Sequence, residues 1–291
     1  QDIATISDGS IYMAGYFMES DAWEGGDRDA FINKYSPDGT KEWTRHIGGE
    51  NTYGYSITTG SDGSVYITGH TGDLELNGQP NANPQITSAS RDGFIVKYTP
   101  DGTMEWTRLF GGFDHDQGNA LTTGKDGSIY IAGFTEGGFD GFANIDSGDA
   151  FISKYNPDGT KEWTRLLGTS DYAEGRALTT GSDGSIYIAG ETQGSLEYPS
   201  GKYTFISKYS SDGIEAWTRT FANTFQEKIN ANNYATALTT GNNGSIYIAG
   251  YTQNDLDDQI SNGGDAFISK LTPDGEKLWT RFLGSSSGDI G

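Results

Sequence analysis

Hydrophobic residues in this sequence come in short runs that are rich in Ile, Tyr, Phe, Trp and Thr. Asp-Gly or Asn-Gly pairs separate many of these runs, and they favour tight hairpin turns because glycine adopts a positive φ at little cost. β-branched and aromatic side chains pack well on pleated strands. No segment sustains a 3.6-residue hydrophobic period. The pattern therefore predicts many short strands and almost no helix.

One phrase of the sequence recurs five times. DAFISKYNPDGTKEWTR occupies positions 149–165, and close relatives of it begin at positions 29, 92, 204 and 265. The repeats are centred on Trp43, Trp106, Trp163, Trp217 and Trp279. The segments before the first and after the last of these tryptophans together match one further spacing. An open stack would carry atypical capping repeats at both ends, so this match favours a closed ring.

Each repeat divides into four strands, which are an ALTTG-like run, SIYIAG, DAFISKY and KEWTRLLG. Two turns of fixed length and one loop of variable length join them within the repeat. Four strands per unit and five units in a ring predict an all-β fold, a five-bladed β-propeller with four antiparallel strands per blade. The N- and C-terminal segments are expected to close the ring, which makes residues 1–291 a single domain.

The repeats resemble the SBBP family of β-propeller repeats. The matching pattern is Asp-x-Phe-Ile-x-Lys-Tyr, Asp-Gly, Trp, Gly-Gly and Gly-x-Ile-Tyr-Ile-x-Gly-x-Thr, and it recurs along essentially the whole chain. The fourth repeat departs most, with Thr204 in place of the leading Asp and TFANTFQEKINANNYA in place of the Gly-Gly loop. The resemblance implies a propeller from a bacterial secreted or cell-surface protein, and it implies little about activity.

Residues that recur in every repeat are expected to form the scaffold. The repeated phenylalanines and the WTR tryptophans should fill the space between blades. The repeated lysines and arginines should pair within the scaffold or lay their stems along it. The aspartates that open four third strands should bond a neighbouring backbone N–H, with metal binding as the alternative. These aspartates are Asp29, Asp92, Asp149 and Asp265.

Composition and charge narrow the classes of partner. The chain has no cysteine, which excludes disulfides and thiol chemistry. Its formal net charge of −21 argues against nucleic acid and anionic membranes as partners. No apolar run approaches the roughly 20 residues that span a bilayer, so membrane insertion is not expected.

The variable loops concentrate at one end of the predicted blades, and we call that end the loop face. It carries more than half of the acidic residues and only five of the basic ones, and variable loops on a rigid scaffold are where binding usually occurs. Acidic and aromatic side chains together suit Ca²⁺ with a sugar, or a protein surface. The expected ligand-contacting residues are Trp23, Tyr53, Phe113, His115, Phe139, Tyr172, Tyr198 and Phe225.

Calcium binding is one interpretation of the acidic residues, although no segment has EF-hand spacing. The carboxylate candidates for a metal site are Asp255, Asp257, Asp258, Asp114, Asp116, Glu19 and Asp21. A solvated acidic surface that maintains solubility is the other interpretation of these residues.

Catalysis has little support in the sequence. The ALTTG-like first strands contain no acid, and there is no Gly-x-Ser-x-Gly or phosphate-binding loop. The three histidines are expected in the scaffold or on the surface, although His70 occupies a position where other repeats have Tyr, Phe or Glu. The sequence therefore predicts that the chain is not an enzyme, with a glycoside hydrolase as a remote alternative.

The leading functional interpretation is a non-catalytic extracellular binding or adhesion module that uses the loop face. A multivalent lectin with five equal sites is one alternative, and a structural unit that packs against copies of itself is another. The partner is then a protein, a carbohydrate or a second copy of the chain. Loops that differ between repeats favour one asymmetric site.

Overall fold

Every regular element that the structure describes is a β-strand. The computed structural model describes residues 2–18, 28–49, 51–80, 82, 90–139, 148–167, 172–193, 202–221, 233–253 and 264–283, and these ranges contain no helix. In this part of the chain there is accordingly no helix that could span a membrane. The prediction of an all-β fold is confirmed.

Five sheets of four antiparallel strands follow the five repeats, with the strands of each sheet in chain order. The first strands are β1 (Asp2–Thr5), β5 (Thr52–Thr59), β11 (Asp116–Thr123), β15 (Ala173–Thr180) and β19 (Asn233–Thr240). The second strands are β2 (Ile11–Met18), β6 (Val65–Thr71), β12 (Ile129–Thr135), β16 (Ile186–Gln193) and β20 (Ile246–Thr252). The third strands are β3 (Arg28–Tyr35), β9 (Asp92–Tyr98), β13 (Asp149–Tyr155), β17 (Lys202–Tyr209) and β21 (Asp265–Leu271). The fourth strands are β4 (Lys41–Ile47), β10 (Met104–Phe110), β14 (Lys161–Leu167), β18 (Glu215–Phe221) and β22 (Lys277–Leu283).

Ten short turns join the first strand to the second and the third strand to the fourth. The glycine of each turn has a positive φ, from +74° at Gly213 to +85° at Gly9, as the Asp-Gly and Asn-Gly pairs predict. In eight of these turns the Asp or Asn before the glycine accepts a hydrogen bond from the backbone N–H two residues on, for example from Ser64 N to Asp62 Oδ1 at 3.0 Å. Local sequence alone therefore sets these turns.

A sixth, two-stranded sheet lies in the variable loop of the second repeat. It pairs β7 (Glu75–Leu76) with β8 (Gln79–Pro80) around Asn77 and Gly78, which both have a positive φ. The Asn-Gly pair favours this turn because both residues adopt a positive φ readily, although no strand was predicted here.

The first strands begin earlier than the ALTTG-like runs, and this corrects the view that they contain no acid. Asp116 is the first residue of β11, Glu174 lies in β15 and Asp2 opens β1. In β11 the register shifts between Gly118 and Ala120, so a bulge separates the early part of the strand from the repeated ALTT. A bulge breaks the regular alternation of side chains along a strand. The residues before the bulge therefore do not continue the alternating pattern by which the strand was predicted.

The structure also corrects the alignment of the fourth repeat. Tyr203 pairs with Thr192 in the position that Asp265 takes opposite Thr252 in the fifth repeat. Tyr203 therefore replaces the leading Asp. Thr204 occupies the neighbouring position, which is alanine in the fifth repeat.

The described chain forms two compact units. Unit 1 comprises Gln1–Ile145 with Ser153–Thr164, and unit 2 comprises Asp146–Ile152 with Arg165–Gly291. Within unit 1, Thr59 Oγ1 donates to Thr5 O at 3.2 Å and Thr123 Oγ1 donates to Thr59 O at 3.0 Å. Within unit 2, Thr240 Oγ1 donates to Thr180 O at 3.0 Å. In each unit the threonine that ends one first strand thus bonds the equivalent threonine of the preceding sheet.

In unit 1 the WTR segments of the first and second sheets bond the third-to-fourth-strand turn of the next sheet. Trp43 Nε1 donates to Pro100 O at 3.3 Å, and Arg45 Nε donates to Gly102 O at 2.6 Å. The guanidinium of Arg45 also lies over the Trp43 ring, at 5.1 Å from its centroid. The five repeated lysines stack on second-strand tyrosines, as Lys97 does on Tyr66. The scaffold interpretation of the repeated basic residues is confirmed.

Candidate functional site

More than half of the predicted site residues lie outside the described part of the chain. These residues are Trp23, Tyr198, Phe225, Glu19, Asp21, Asp255, Asp257 and Asp258. The other seven are described, and Tyr172 lies in unit 2 whereas the remaining six lie in unit 1.

The segment from Phe113 to Asp116 divides between surface and interior. Phe113 is 63 % exposed, and Asp114 and His115 are exposed beside it. Phe139, by contrast, is only 2 % exposed and packs edge-on against Phe110 with ring centroids 5.9 Å apart. Phe139 is therefore a core residue, which corrects its selection as a ligand-contacting residue.

Asp116 and Asp92 are buried carboxyl groups in unit 1. Asp116 accepts hydrogen bonds from Thr135 Oγ1 and from Gly112 N, and Asp92 accepts one from Ala82 N at 2.6 Å. Burial raises the pKa of Asp116 to about 8 and that of Asp92 to about 6. The bond from Ala82 N agrees with the expected backbone partner for the aspartates that open third strands.

The two described metal candidates, Asp114 and Asp116, differ in their surroundings. Both carboxylate oxygens of Asp116 already accept hydrogen bonds from protein groups, and neighbouring Asp114 is exposed. In the described ranges, no group of three or more His, Asp or Glu residues is close enough to hold a metal ion.

A different set of residues stands out at one register position of the sheets. Where the first strand enters its sheet, one cross-strand pair with the second strand changes from sheet to sheet. We call these four pairs the variable layer, and they are Tyr53–His70, Gln117–Phe134, Glu174–Glu191 and Tyr234–Tyr251. The same position thus carries aromatic, amide or charged side chains on one framework.

In the second and fourth sheets the backbones of the first and second strands approach each other closely next to the variable layer, where both strands have glycine. The pair that follows is Gly175–Gly190 in the fourth sheet and Gly54–Gly69 in the second. A Cβ at Gly190 would lie 1.9 Å from Glu174 O, and one at Gly69 would lie 1.7 Å from Tyr53 O. Only glycine therefore permits the close backbone approach that precedes the bulge and fixes the variable side chains.

In unit 1 the variable layer forms an aromatic cluster around His70. The Tyr53 ring lies 4.5 Å from the His70 ring, and the Tyr55 ring lies 5.3 Å from it. Arg28 donates from Nη1 to Tyr53 Oη and lies over the same ring. His70 is 1 % exposed, and burial, together with the charges of Arg91 and His115, lowers its pKa to about 3. The imidazole is therefore neutral at ordinary pH.

In unit 2 the variable layer carries an ion network. Arg176 Nη2 donates to Glu174 Oε2 at 2.7 Å and to Glu191 Oε1 at 3.1 Å. Lys202 Nζ donates to the same Glu191 Oε1 at 2.9 Å. Tyr172 Oη donates to Glu174 Oε2 at 2.6 Å. The carboxylates lie beneath the cations, because the glutamate side chains are 7 % and 1 % exposed whereas those of Arg176 and Lys202 are each 36 % exposed.

Tyrosine rings flank both cations of this network. The Arg176 guanidinium lies 5.4 Å from the Tyr234 centroid, and Lys202 Nζ lies 5.1 Å from the Tyr172 centroid. Burial and the hydrogen bond to Glu174 raise the pKa of Tyr172. Burial acts to lower the pKa of Arg176, but the two carboxylates outweigh it and raise that pKa. Both side chains therefore keep their protons.

Sequence reasoning selected Tyr53 and Tyr172 but missed the other members of the two clusters. A usable signal was present, because the variable layer lies within otherwise repeated strands. His70 was noticed as a departure from the repeat, and the same test applied to Glu191 and Glu174 would have found the ion network.

Comparison with known proteins identifies the repeat. The SBBP β-propeller repeat family matches residues 162–197. The chain is 30 % identical over 263 residues to the regulatory protein FlaEY of Caulobacter vibrioides, covering 78 % of this chain and 26 % of FlaEY. It is 26 % identical over 194 residues to the uncharacterized WD repeat-containing protein L264 of Acanthamoeba polyphaga mimivirus, covering 57 % of this chain and 14 % of L264. The chain thus spans about a quarter or less of each relative.

Solved structures correct the prediction that the chain is not an enzyme. The PL25 ulvan lyase, a polysaccharide lyase, superposes with a TM-score of 0.55 at 11 % identity, covering 94 % of this chain and 69 % of the lyase. Its complex with a -[GlcA(1-4)Rha3S]- ligand gives a TM-score of 0.54 at 12 % identity. An enzyme shares this fold, so the prediction from missing acids and missing motifs that this chain is not an enzyme is overturned.

Proposed function

We propose that this chain, which carries the SBBP β-propeller repeat, is a binding module for a protein partner within a longer protein. The variable layer is the part that selects the partner. The supporting observation is that four equivalent register positions carry four different chemistries on one repeated framework. A scaffold alone would be expected to repeat these positions as it repeats its tryptophans and turns.

The proposal includes closure of the five sheets into one five-bladed ring. In such a ring the first strands line the central channel, so the variable layer would gather at one of its mouths. The threonine bonds between successive first strands within each unit support this arrangement. The variable loops would surround the same mouth. Small-angle scattering of the purified chain tests the closure, because an open row of sheets would give a markedly larger radius of gyration.

A single asymmetric site follows from the proposal, in contrast to a lectin with five equal sites. An equal-site lectin needs the same ligand-contacting residues in every sheet, whereas the variable pairs range from Gln117–Phe134 to Glu174–Glu191. The two named relatives, a regulatory protein and a WD repeat-containing protein, support a protein partner over a sugar. We extend the proposal to an extracellular or cell-surface setting on the basis of the SBBP resemblance.

The test is selection of binders from a displayed random-peptide library on the immobilised chain, in parallel with a glycan array. The decisive variant copies the third sheet into the fourth, with Glu174→Gln, Arg176→Asn and Glu191→Phe, and we call it the layer-copy variant. Lys41→Gln at the exposed start of β4 is the matched control. We expect selected peptides to bind the wild type and the control equally and to lose at least tenfold in affinity for the layer-copy variant. Glycan binding without peptide binding, or unchanged peptide affinity, would overturn the proposal.

A further inference from the structure

The ion network of unit 2 places two charged carboxylates in the protein interior, which costs free energy of folding. Glu174 and Glu191 are buried, and burying charges costs free energy that their pairing does not always return. The second, third and fifth sheets fill the same register position with side chains that form no ion pair among the described residues, for example Tyr234 and Tyr251 in the fifth. The fold therefore does not require charges here, which points to a role in recognition.

Hydrogen-bond donors, rather than carboxylates, are what this network offers to a ligand. The carboxylates lie beneath, and the partly exposed groups above them are Arg176 and Lys202. Both bonds from Arg176 to the glutamates use Nη2, whereas its Nε is buried and, within the described residues, has no hydrogen-bond partner. Lys202 makes one bond, to Glu191. The two cations are held side by side because they share Glu191 Oε1 as acceptor.

We propose that Arg176 and Lys202 form a receptor for a single carboxylate of the protein partner, such as the free carboxyl terminus of a basic segment. This inference rests on the proposed function. A planar carboxylate matches the donor pattern of a guanidinium beside an ammonium. One tyrosine ring lies beside each cation, Tyr234 beside Arg176 and Tyr172 beside Lys202.

The charge of the whole chain favours one carboxylate on an otherwise basic partner. Four charges of the network sum to zero, while the chain carries −21 in total. In a polyanion such as a uronate polymer, only one carboxylate could contact the two cations. The acidic protein would repel the other carboxylates of the polymer. A basic segment would instead be attracted over a longer range.

The experiment measures binding of two fluorescein-labelled peptides of sequence Lys-Gly-Lys-Gly-Ala by fluorescence anisotropy. One peptide has a free C-terminal carboxylate and the other a C-terminal amide. We expect the free carboxylate to bind at least fivefold more tightly than the amide at low ionic strength. Oligomeric glucuronate is the third probe, and it is expected to bind more weakly than the free-carboxylate peptide.

Variants that preserve the fold make the test specific to the network. Lys202→Gln and Arg176→Lys should each reduce the preference for the free carboxylate to less than twofold. Arg219→Lys is the control, because Arg219 lies in the same sheet but outside the network, and it should leave the preference unchanged. Thermal melts establish that each variant is folded. Equal affinity for the two peptides, a preference that survives both variants, or tighter binding of glucuronate would each overturn the carboxylate receptor. If library-selected peptides still bind at the variable layer in that case, the proposed function survives it.

Discussion

The second and fourth sheets carry very different side chains at the same register position, a pair of rings in one and a pair of carboxylates in the other. At one register position the second sheet pairs Tyr53 with neutral His70, and the fourth pairs Glu174 with Glu191. Both pairs precede a Gly–Gly pair and a bulge, and both lie in first strands that end in Thr-Thr. The framework thus tolerates stacked rings or a charge network at this point. Its geometry comes from glycine and the turns, and the side chains are free to serve another purpose.

The largest loss of stability is expected when one member of the ion network is removed and the buried carboxylates remain. Arg176→Ala removes the cation shared by two buried carboxylates and should lower the free energy of unfolding by about 3 kcal/mol. The layer-copy variant removes the carboxylates as well, and we expect it to be as stable as the wild type or more so. Urea unfolding followed by tryptophan fluorescence measures both. A layer-copy variant as unstable as Arg176→Ala would show that the charges themselves stabilise the sheet.

The second prediction concerns the glycine that both sheets share. Gly190→Ala would place a Cβ 1.9 Å from the backbone oxygen of Glu174, so the strands must separate at a cost of about 1–3 kcal/mol. Gly49→Ala is the control, because its Cβ would approach no atom closer than 3.7 Å. Equal urea midpoints for the two variants would mean that the bulge is not held by close backbone contact.

The third prediction uses pH to distinguish the two pairs. The folded-state pKa of His70 is about 3, well below the unfolded value near 6.5, so the unfolded chain binds a proton that the folded chain does not. The contribution of His70 to stability is therefore present above pH 6.5 and is lost as the pH falls towards 3. Between pH 7 and pH 5 the wild type should lose about 2 kcal/mol relative to His70→Phe.

The difference between wild type and variant isolates this effect from Asp92 and Asp116. Those carboxyl groups have raised pKa values, so their contribution runs in the opposite direction, with stability lost as the pH rises. Both groups remain in His70→Phe. Parallel stability curves for the two proteins over this range would show that His70 is protonated in the folded state.

The smallest effect is expected in the repeated framework. Glu105 pairs with Lys97 at 2.7 Å, but the glutamate side chain is 40 % exposed. Glu105→Gln should therefore cost less than about 1 kcal/mol, since exposed ion pairs contribute little and Lys97 keeps its contact with the Tyr66 ring. A loss as large as that of Arg176→Ala in the same urea experiment would remove the distinction between framework and variable layer.

Most of the fold could be predicted, because its signals are local and repeated. Asp62-Gly63 and its nine counterparts mark turns through the backbone preference of glycine, and the aromatic runs between them mark strands. The candidate site was much less predictable. Tyr53 and Tyr172 were selected, but Glu174 and Glu191 were missed because they lie 17 positions apart on two strands, and only the register makes them neighbours.

The strand-and-turn framework, its repetition and the absence of thiol chemistry follow from the sequence, since each depends on residue type or on residues that are adjacent or identically spaced. Which side chains contact one another depends on the three-dimensional arrangement of the strands. Phe139 is buried, and Asp116 and Glu174 lie in first strands. Glu174, Arg176, Glu191 and Lys202 form one network. The physical reason is that bulges and cross-strand register bring together residues whose separation along the chain carries no local signal.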